Sequence, residues 1–208
     1  MLLIGIDEAG YGPLLGPLCH GYCAIRWNGA EPMGLAPPDL WKILHPSVMR
    51  HPAREGSVAV DDSKKIYAQG GGVASLARGV AAFLKCVDES ITAENLPALY
   101  DTLLPEPDRR ALGEEAWGRW EAPVLLESVV AISLPKKTRR KKSRTIIPCL
   151  RDALNANAMT VAALGARAMS ARLYNSALKK SGNKADVNWS VIAELLTCLL
   201  YTSPSPRD

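Results

Sequence analysis

The alternation of apolar and polar positions predicts strands and helices in roughly alternating order. Residues 2–6 form a short apolar run that ends at a turn, as a central strand does, and 18–27 is predicted to be a second strand antiparallel to it. Apolar residues at helical spacing predict a helix over 72–87. A weak alternation over 124–134 and a run of small apolar residues over 158–168 predict two further strands. The pattern therefore predicts an α/β fold.

Other helices are predicted from their end signals. Ser170 is a typical N-cap and Gly182 follows the last turn, which predicts a helix over 170–180. Pro107 suits a first helical turn, and the charged residues after it, Arg109 and Arg110 among them, are expected to face solvent. A Pro-rich stretch over 28–54 is expected to be irregular apart from one short helix. The remaining helices are predicted over 40–44, 95–104, 107–120, 148–155 and 184–197.

The last helical pattern is interrupted before the chain ends. Trp189, Ile192 and Leu195 recur at helical spacing, yet the string over 198–208 matches the translation of a DNA-sequencing adapter. A natural Ser/Pro-rich tail is the alternative, because it has the same composition. We expect one truncated domain over 1–197 and a non-native segment over 198–208.

Composition limits how many domains the chain can form and which kinds of partner it can bind. A chain of 208 residues, 48% of them hydrophobic, can bury the core of one domain. The net charge of +4 fits a nucleic-acid partner without requiring one, and a single Phe argues against an aromatic platform for single strands. No apolar stretch approaches the roughly 20 residues of a membrane span, and no secretory signal is recognised. We therefore expect a cytoplasmic protein without membrane attachment.

The cysteines do not suggest a metal knuckle, because they are scattered and odd in number. Cys19 and Cys23 can share one face of the second strand, with His20 on the other face. A zinc site there is the less favoured interpretation, and buried thiols are the favoured one. The five positions are Cys19, Cys23, Cys86, Cys149 and Cys198.

The strongest chemical signal follows the first strand, where Asp7 and Glu8 lead into a turn rich in glycine and proline. Neighbouring strand residues point to opposite faces, so the two carboxylates can serve one metal site only where the strand ends and the chain bends. Mg²⁺ prefers carboxylate, water and phosphate oxygens, and two such ions can promote phosphodiester hydrolysis. A surface acid pair before a turn is the alternative. Glycines in such number favour the first interpretation, because close approach of a sugar–phosphate backbone would explain them.

A second motif occupies 61–66, with the sequence Asp-Asp-Ser-Lys-Lys-Ile. The hydroxyl of Ser63 and the ammonium groups of Lys64 and Lys65 can hold a phosphate without reading bases. Taken alone, the motif is better explained as an ordinary solvated turn before a helix.

Together the two motifs resemble type 2 ribonuclease H, also called ribonuclease HII. The resemblance covers the first third of the chain and rests on Ile6-Asp7-Glu8-Ala9-Gly10, Gly12-Pro13, Gly16-Pro17 and Asp62-Ser63-Lys64-Lys65. It implies an RNase H-like mixed sheet flanked by helices. It also implies cleavage of RNA in RNA–DNA hybrids, or at ribonucleotides embedded in DNA, with two Mg²⁺ or Mn²⁺ ions.

The resemblance also implies roles for single residues. Asp7 and Glu8 would be the first two of four metal-binding acids, and the other two are expected beyond Thr197, so the chain alone is expected to be inactive. Tyr11 stands where the family has Arg or Lys, which replaces a phosphate-binding cation by a group that can donate one hydrogen bond or stack on a sugar. The residues expected to contact substrate are Gly10, Tyr11, Gly12, Ser63, Lys64 and Lys65.

A basic segment over 136–144 holds seven cations in nine residues. It is either a duplex-binding loop or a disordered, self-repelling one. The expected partner is an RNA–DNA hybrid or ribonucleotide-containing duplex DNA, bound by a monomer. Two rival functions are a non-catalytic nucleic-acid-binding protein on the same fold and a different RNase H-like nuclease, such as a junction resolvase.

Overall fold

The fold is described from a computed structural model of the chain. The structure describes residues 1–10, 16–29, 37–50, 54, 56–68, 72–89, 101–115 and 146–202. The predicted strand over 124–134 and the basic segment over 136–144 lie outside the described residues, as do Tyr11 and Gly12.

A small antiparallel sheet and a set of helices give the described chain a mixed α/β fold. Among the described strands the middle one is β2 (Leu18–Trp27), so the prediction that the first strand is central is not confirmed. A second pair of strands, β3 (Val48–Met49) and β4 (Val58–Ala59), is very short and parallel. The strands of the first sheet, in spatial order, are β1 (Leu2–Ala9), β2 (Leu18–Trp27) and β5 (Met159–Met169).

Backbone hydrogen bonds at the strand ends fix the strand directions. Met1 and Trp27 each donate an N–H to the other's carbonyl oxygen at 2.9 Å, which is the exchange made by a hydrogen-bonded antiparallel pair. The N–H of Asn28 donates to the carbonyl of Ala158 at 2.9 Å, so the end of β2 lies beside the start of β5. The predicted antiparallel pairing of the first two strands is confirmed.

The other elements agree closely with the apolar pattern. The helix predicted over 72–87 is found with those bounds, and the helix predicted over 107–120 ends early, because 114–115 are no longer helical. Of the helix predicted over 95–104, only 101–103 are seen as helix, since 95–100 lie outside the described residues. The bounds are α1 (Leu40–Ile43), β3 (Val48–Met49), β4 (Val58–Ala59), α2 (Ser63–Ile66), α3 (Gly72–Val87), α4 (Glu106–Gly113), α5 (Ile146–Ala156), α6 (Ala171–Ser181) and α7 (Lys184–Thr202).

The ends of α6 are set by the two residues that predicted it. Ser170 accepts a hydrogen bond from the N–H of Leu173 at 3.4 Å and so caps the first turn. Gly182 has a φ of 72°, in the left-handed region that glycine tolerates, and its N–H donates to Leu178. The last helix, α7, continues past Thr197 to Thr202. The origin of 198–208 stays a prediction.

The described chain groups into two compact units. The first unit is drawn from 1–3, 25–97 and 123–161, and the second from 4–24, 98–122 and 162–208. In the first unit α3 packs against α5, β4 and α2. In the second unit α6 packs against α7 around the buried residues Leu18, Tyr174 and Val187. No helix in the described ranges is long and apolar enough to cross a membrane.

A buried carboxylate joins three elements of the second unit. Asp108, in the first turn of α4, is only 7% exposed. Its Oδ2 accepts hydrogen bonds from Nε of Arg167 at 2.9 Å and from the N–H of Ala168 at 2.7 Å. The guanidinium of Arg167 also lies 3.4 Å from a carboxylate oxygen of Glu194 on α7. Burial alone would lower the pKa of Arg167, but these two acids outweigh it and raise the pKa above its ordinary value.

Replacing this carboxylate is expected to destabilise the protein. Asp108→Asn keeps the volume but removes the charge that partners Arg167, so we expect a loss of about 2 kcal/mol in the free energy of unfolding. Urea denaturation measures this change in the free energy of unfolding. Asp101→Asn is the control, because Asp101 forms an exposed ion pair with Arg109, worth about 0.5 kcal/mol or less. Equal losses in the two variants would contradict a special role for Asp108.

Candidate functional site

Asp7 and Glu8 lie near the end of β1 and both are exposed. The strand continues through both acids to Ala9, three residues farther than predicted, so the chain does not bend until Gly10. A regular strand places consecutive residues on opposite faces. The Oδ1 atom of Asp7 accepts a hydrogen bond from the N–H of Glu8 at 3.0 Å. The strand therefore offers two accessible carboxylates on alternate faces, and the bend that the sequence predicts at the acids is found two residues after Glu8, at Gly10.

The turn requires glycine at position 10 because of the local backbone conformation and a close contact within the chain. Gly10 has a φ of 80°, and a Cβ atom there would lie 2.7 Å from the carbonyl oxygen of Pro17. Gly16 has open space instead, since a Cβ atom would meet nothing within 4 Å. Close approach of the chain to itself thus explains Gly10, whether or not a ligand also approaches it. Tyr11 and Gly12 cannot be placed, because they lie outside the described residues.

The second motif lies in the first unit and begins a short helix. Oδ1 of Asp62 accepts a hydrogen bond from the N–H of Lys64 at 2.8 Å, so Asp62 is the N-cap of α2. Ile66 is buried and anchors the turn, while Ser63, Lys64 and Lys65 are exposed. The interpretation as a turn before a helix is confirmed. The same geometry leaves the hydroxyl and both ammonium groups accessible to a ligand.

Asp61 organises the charges around this motif. Its Oδ1 accepts a hydrogen bond from the N–H of Asp62 at 2.9 Å, and it lies 3.5 Å from Nζ of Lys65 and 3.6 Å from the guanidinium of Arg50. The hydrogen bond from Asp62 contributes most to a lowered pKa of Asp61, and Lys65 and Arg50 lower it further against the opposing effect of burial. The carboxylate is therefore the charged centre of a small ion-pair network.

Arg50 and Trp41 complete this network, and sequence reasoning missed both. The guanidinium carbon of Arg50 lies 4.0 Å from the centre of the Trp41 ring, a cation–π arrangement. The ring is itself held by a hydrogen bond from its Nε1 to the carbonyl oxygen of Val60 at 2.7 Å. The two contacts span nine and nineteen positions of the chain, so no local pattern reveals them.

The donor atoms near Asp7 fit a hard divalent cation better than zinc. Mg²⁺ is commonly held by one or two carboxylates, with water and substrate phosphate completing the shell, and Asp7 and Glu8 can supply those oxygens. In the described part of the chain, no group of three or more His, Cys, Asp or Glu side chains is placed to hold a metal ion.

The cysteines of β2 are poor zinc ligands as they stand. Burial raises the pKa of Cys23 to about 11 and also raises that of Cys19, where the charge of Asp108 adds to the effect. A zinc ligand must be a thiolate, which a raised pKa disfavours. The neighbouring His20 is fully buried, and its Nε2 lies 2.5 Å from Oδ1 of Asn188. These observations support the interpretation of the thiols as partly buried packing residues.

Comparison with known proteins identifies no relative. No family model, curated protein or solved structure matches the chain. Function is therefore inferred from the residues of the two motifs and from their surroundings.

The turn after β1 is expected to tolerate alanine at one glycine but not at the other. Gly10→Ala combines a left-handed backbone with a collision against the carbonyl of Pro17, so we expect a loss of about 2 kcal/mol or more in unfolding free energy. Gly16→Ala is the control and should change stability little. Thermal unfolding of the two variants measures this, and a well-tolerated Gly10→Ala would show that the turn relaxes.

Asp61 is expected to give the protein a pH-dependent stability. Because its folded-state pKa lies below the ordinary value of 3.8, its contribution is present above that value and is lost as pH falls through the lowered pKa. Asp61→Asn should therefore be less stable than the wild type at pH 7, and the difference should shrink progressively below about pH 5. Urea denaturation across this range measures the difference. A difference that does not vary with pH would contradict the ion-pair role.

Proposed function

We propose that the chain is part of a divalent-metal-dependent endonuclease that cleaves RNA in RNA–DNA hybrids or at ribonucleotides embedded in DNA. The observation that carries the proposal is the exposed pair of carboxylates, Asp7 and Glu8, near the end of β1. The sequence resemblance to ribonuclease HII points to the same residues. The mixed α/β fold with a small antiparallel sheet is compatible with an RNase H-like architecture, which forms part of the proposal.

The two acids are the proposed metal ligands. Asp7 and Glu8 would hold the Mg²⁺ or Mn²⁺ ions through their carboxylate oxygens. Such ions, when bound, activate the attacking water and stabilise the leaving oxygen of a phosphodiester. The protein's own contribution is to hold the carboxylates at the strand end, where solvent and a duplex can reach them.

The substrate contacts in this proposal come from both motifs. Gly10, Tyr11 and Gly12 are proposed to lie against the ribonucleotide at the turn. Ser63, Lys64 and Lys65 are proposed to bind backbone phosphates, which fixes position without reading sequence. Their exposure around the capped start of α2 supports this second assignment. The two motifs belong to different units of the chain, and each assignment is argued from its own unit.

The first measurement is to sequence the source DNA past the codon for Thr197 and to express the restored chain. We expect that chain to cleave a duplex with one embedded ribonucleotide in the presence of Mg²⁺ or Mn²⁺. Asp7→Asn should reduce cleavage to the uncatalysed level, because it removes a metal ligand. Duplex binding should stay intact, because Asp7 is not proposed to contact the sugar–phosphate backbone of the duplex. Asp152→Asn, an exposed acid on α5, is the matched control and should cleave normally.

The outcomes separate the rival functions. Normal cleavage by Asp7→Asn would overturn the assignment of the metal site. Duplex binding that needs no metal, with no cleavage by the restored chain, would favour a non-catalytic binding protein. A preference for branched DNA over hybrids would favour a junction resolvase.

A further inference from the structure

Arg50 lies beside the second motif without belonging to it. Its guanidinium stacks over Trp41 and lies 3.6 Å from the same Asp61 oxygen that Lys65 approaches at 3.5 Å. The side chains of Arg50 and Lys65 are each 60% exposed, whereas that of Asp61 is only 9% exposed. One covered carboxylate therefore holds two accessible cations close to each other.

Neither cation is saturated by these contacts. A charge-assisted hydrogen bond between nitrogen and a carboxylate oxygen spans about 2.7–2.9 Å, and both separations from Asp61 exceed that range. The N–H donors of Arg50 and the ammonium of Lys65 thus remain able to bind a stronger acceptor. Over Arg50 and residues 61–65, the three cations Arg50, Lys64 and Lys65 outnumber the two carboxylates of Asp61 and Asp62.

Stacking on Trp41 preorganises the guanidinium of Arg50 for binding an anion. An aromatic ring covers the face of a guanidinium and leaves the N–H groups at its edge free, and it removes much of the rotamer freedom that binding would otherwise have to restrict. The ring of Trp41 is fixed in turn by its hydrogen bond to Val60, the residue before Asp61. The planar fork of Arg50 is therefore held in place next to Lys65, and phosphate is an acceptor that matches such a fork.

We propose that Arg50 is a phosphate-binding residue of the nucleic-acid interface, with Trp41 and Asp61 as its positioning residues and Lys65 as its neighbour on the same phosphate. The proposal rests on the proposed function in so far as its ligand is a nucleic-acid duplex. It extends that function to a part of the chain that neither motif includes. Because the contact is to the backbone, it adds affinity for any duplex and no base specificity.

The test is the salt dependence of duplex binding by the 208-residue chain, measured by fluorescence anisotropy with a labelled RNA–DNA hybrid. Arg50→Gln should weaken binding and reduce the slope of log K against log salt by about 0.9, the effect of losing one phosphate contact. Arg50→Lys keeps the charge but loses the fork, so it should weaken binding with little change in slope. Arg78→Gln, which removes an exposed arginine of α3 in the same unit, is the control for net charge.

Each outcome bears on one proposal or on both. If Arg50→Gln and Arg78→Gln bind the duplex with the same affinity and the same salt slope, the inference about Arg50 is overturned. The proposed function is then unaffected. If binding depends on Arg50 while the restored chain cleaves neither hybrids nor embedded ribonucleotides, the inference holds and the proposed function fails. If the wild-type chain binds no duplex at low salt, the inference about Arg50 is overturned, and cleavage by the restored chain still decides the proposed function. Should Arg50→Gln fail to fold by circular dichroism, the Arg50→Lys variant still decides, because unchanged affinity in it would contradict the role of the fork.

Discussion

The buried carboxylate of Asp108 is the constraint on which the second unit depends. A charge in the interior needs partners, and Asp108 finds them in Arg167 and in the backbone of Ala168. Since Arg167 also contacts Glu194, one line of charges joins α4, β5 and α7. β5 pairs with β2, and β2 pairs with β1, so the strand that carries the candidate metal ligands belongs to a sheet anchored by this contact.

The residues of the two motifs divide into those with a structural task and those without one. Gly10 forms a turn, Asp62 caps a helix and Asp61 forms ion pairs with two cations. Each of these structural roles explains the residue without a ligand. Glu8 and Ser63 are exposed, and folding does not require their particular side chains at these positions. A functional argument is strongest for the second group, because stability alone gives no reason for its chemistry. For the first group, a loss of activity on mutation would need to be separated from a loss of folding.

Local features of this fold could be predicted from sequence, and long-range ones could not. The helix over 72–87 and the caps Ser170 and Gly182 follow from periodicity and end signals, which involve residues within a few positions. The burial of Asp108 depends on a partner 59 residues away, so no pattern within its own helix indicates it. The candidate site shows the same division, because Asp7, Glu8 and the lysines lie in recognisable strings whereas Trp41 and Arg50 meet only in the folded chain.

The modest charge of the protein makes the placement of its cations matter more than their number. With 25 basic and 21 acidic residues the long-range field is weak, so attraction to a polyanion has to come from local clusters. A free surface lysine must give up rotamer freedom when it binds phosphate. Here the covered carboxylate of Asp61 restricts Lys65, and the same carboxylate and the ring of Trp41 restrict Arg50, before any ligand arrives. A duplex would therefore be bound by a small set of cations that the fold has already placed, and the acids among them serve to hold those cations in position.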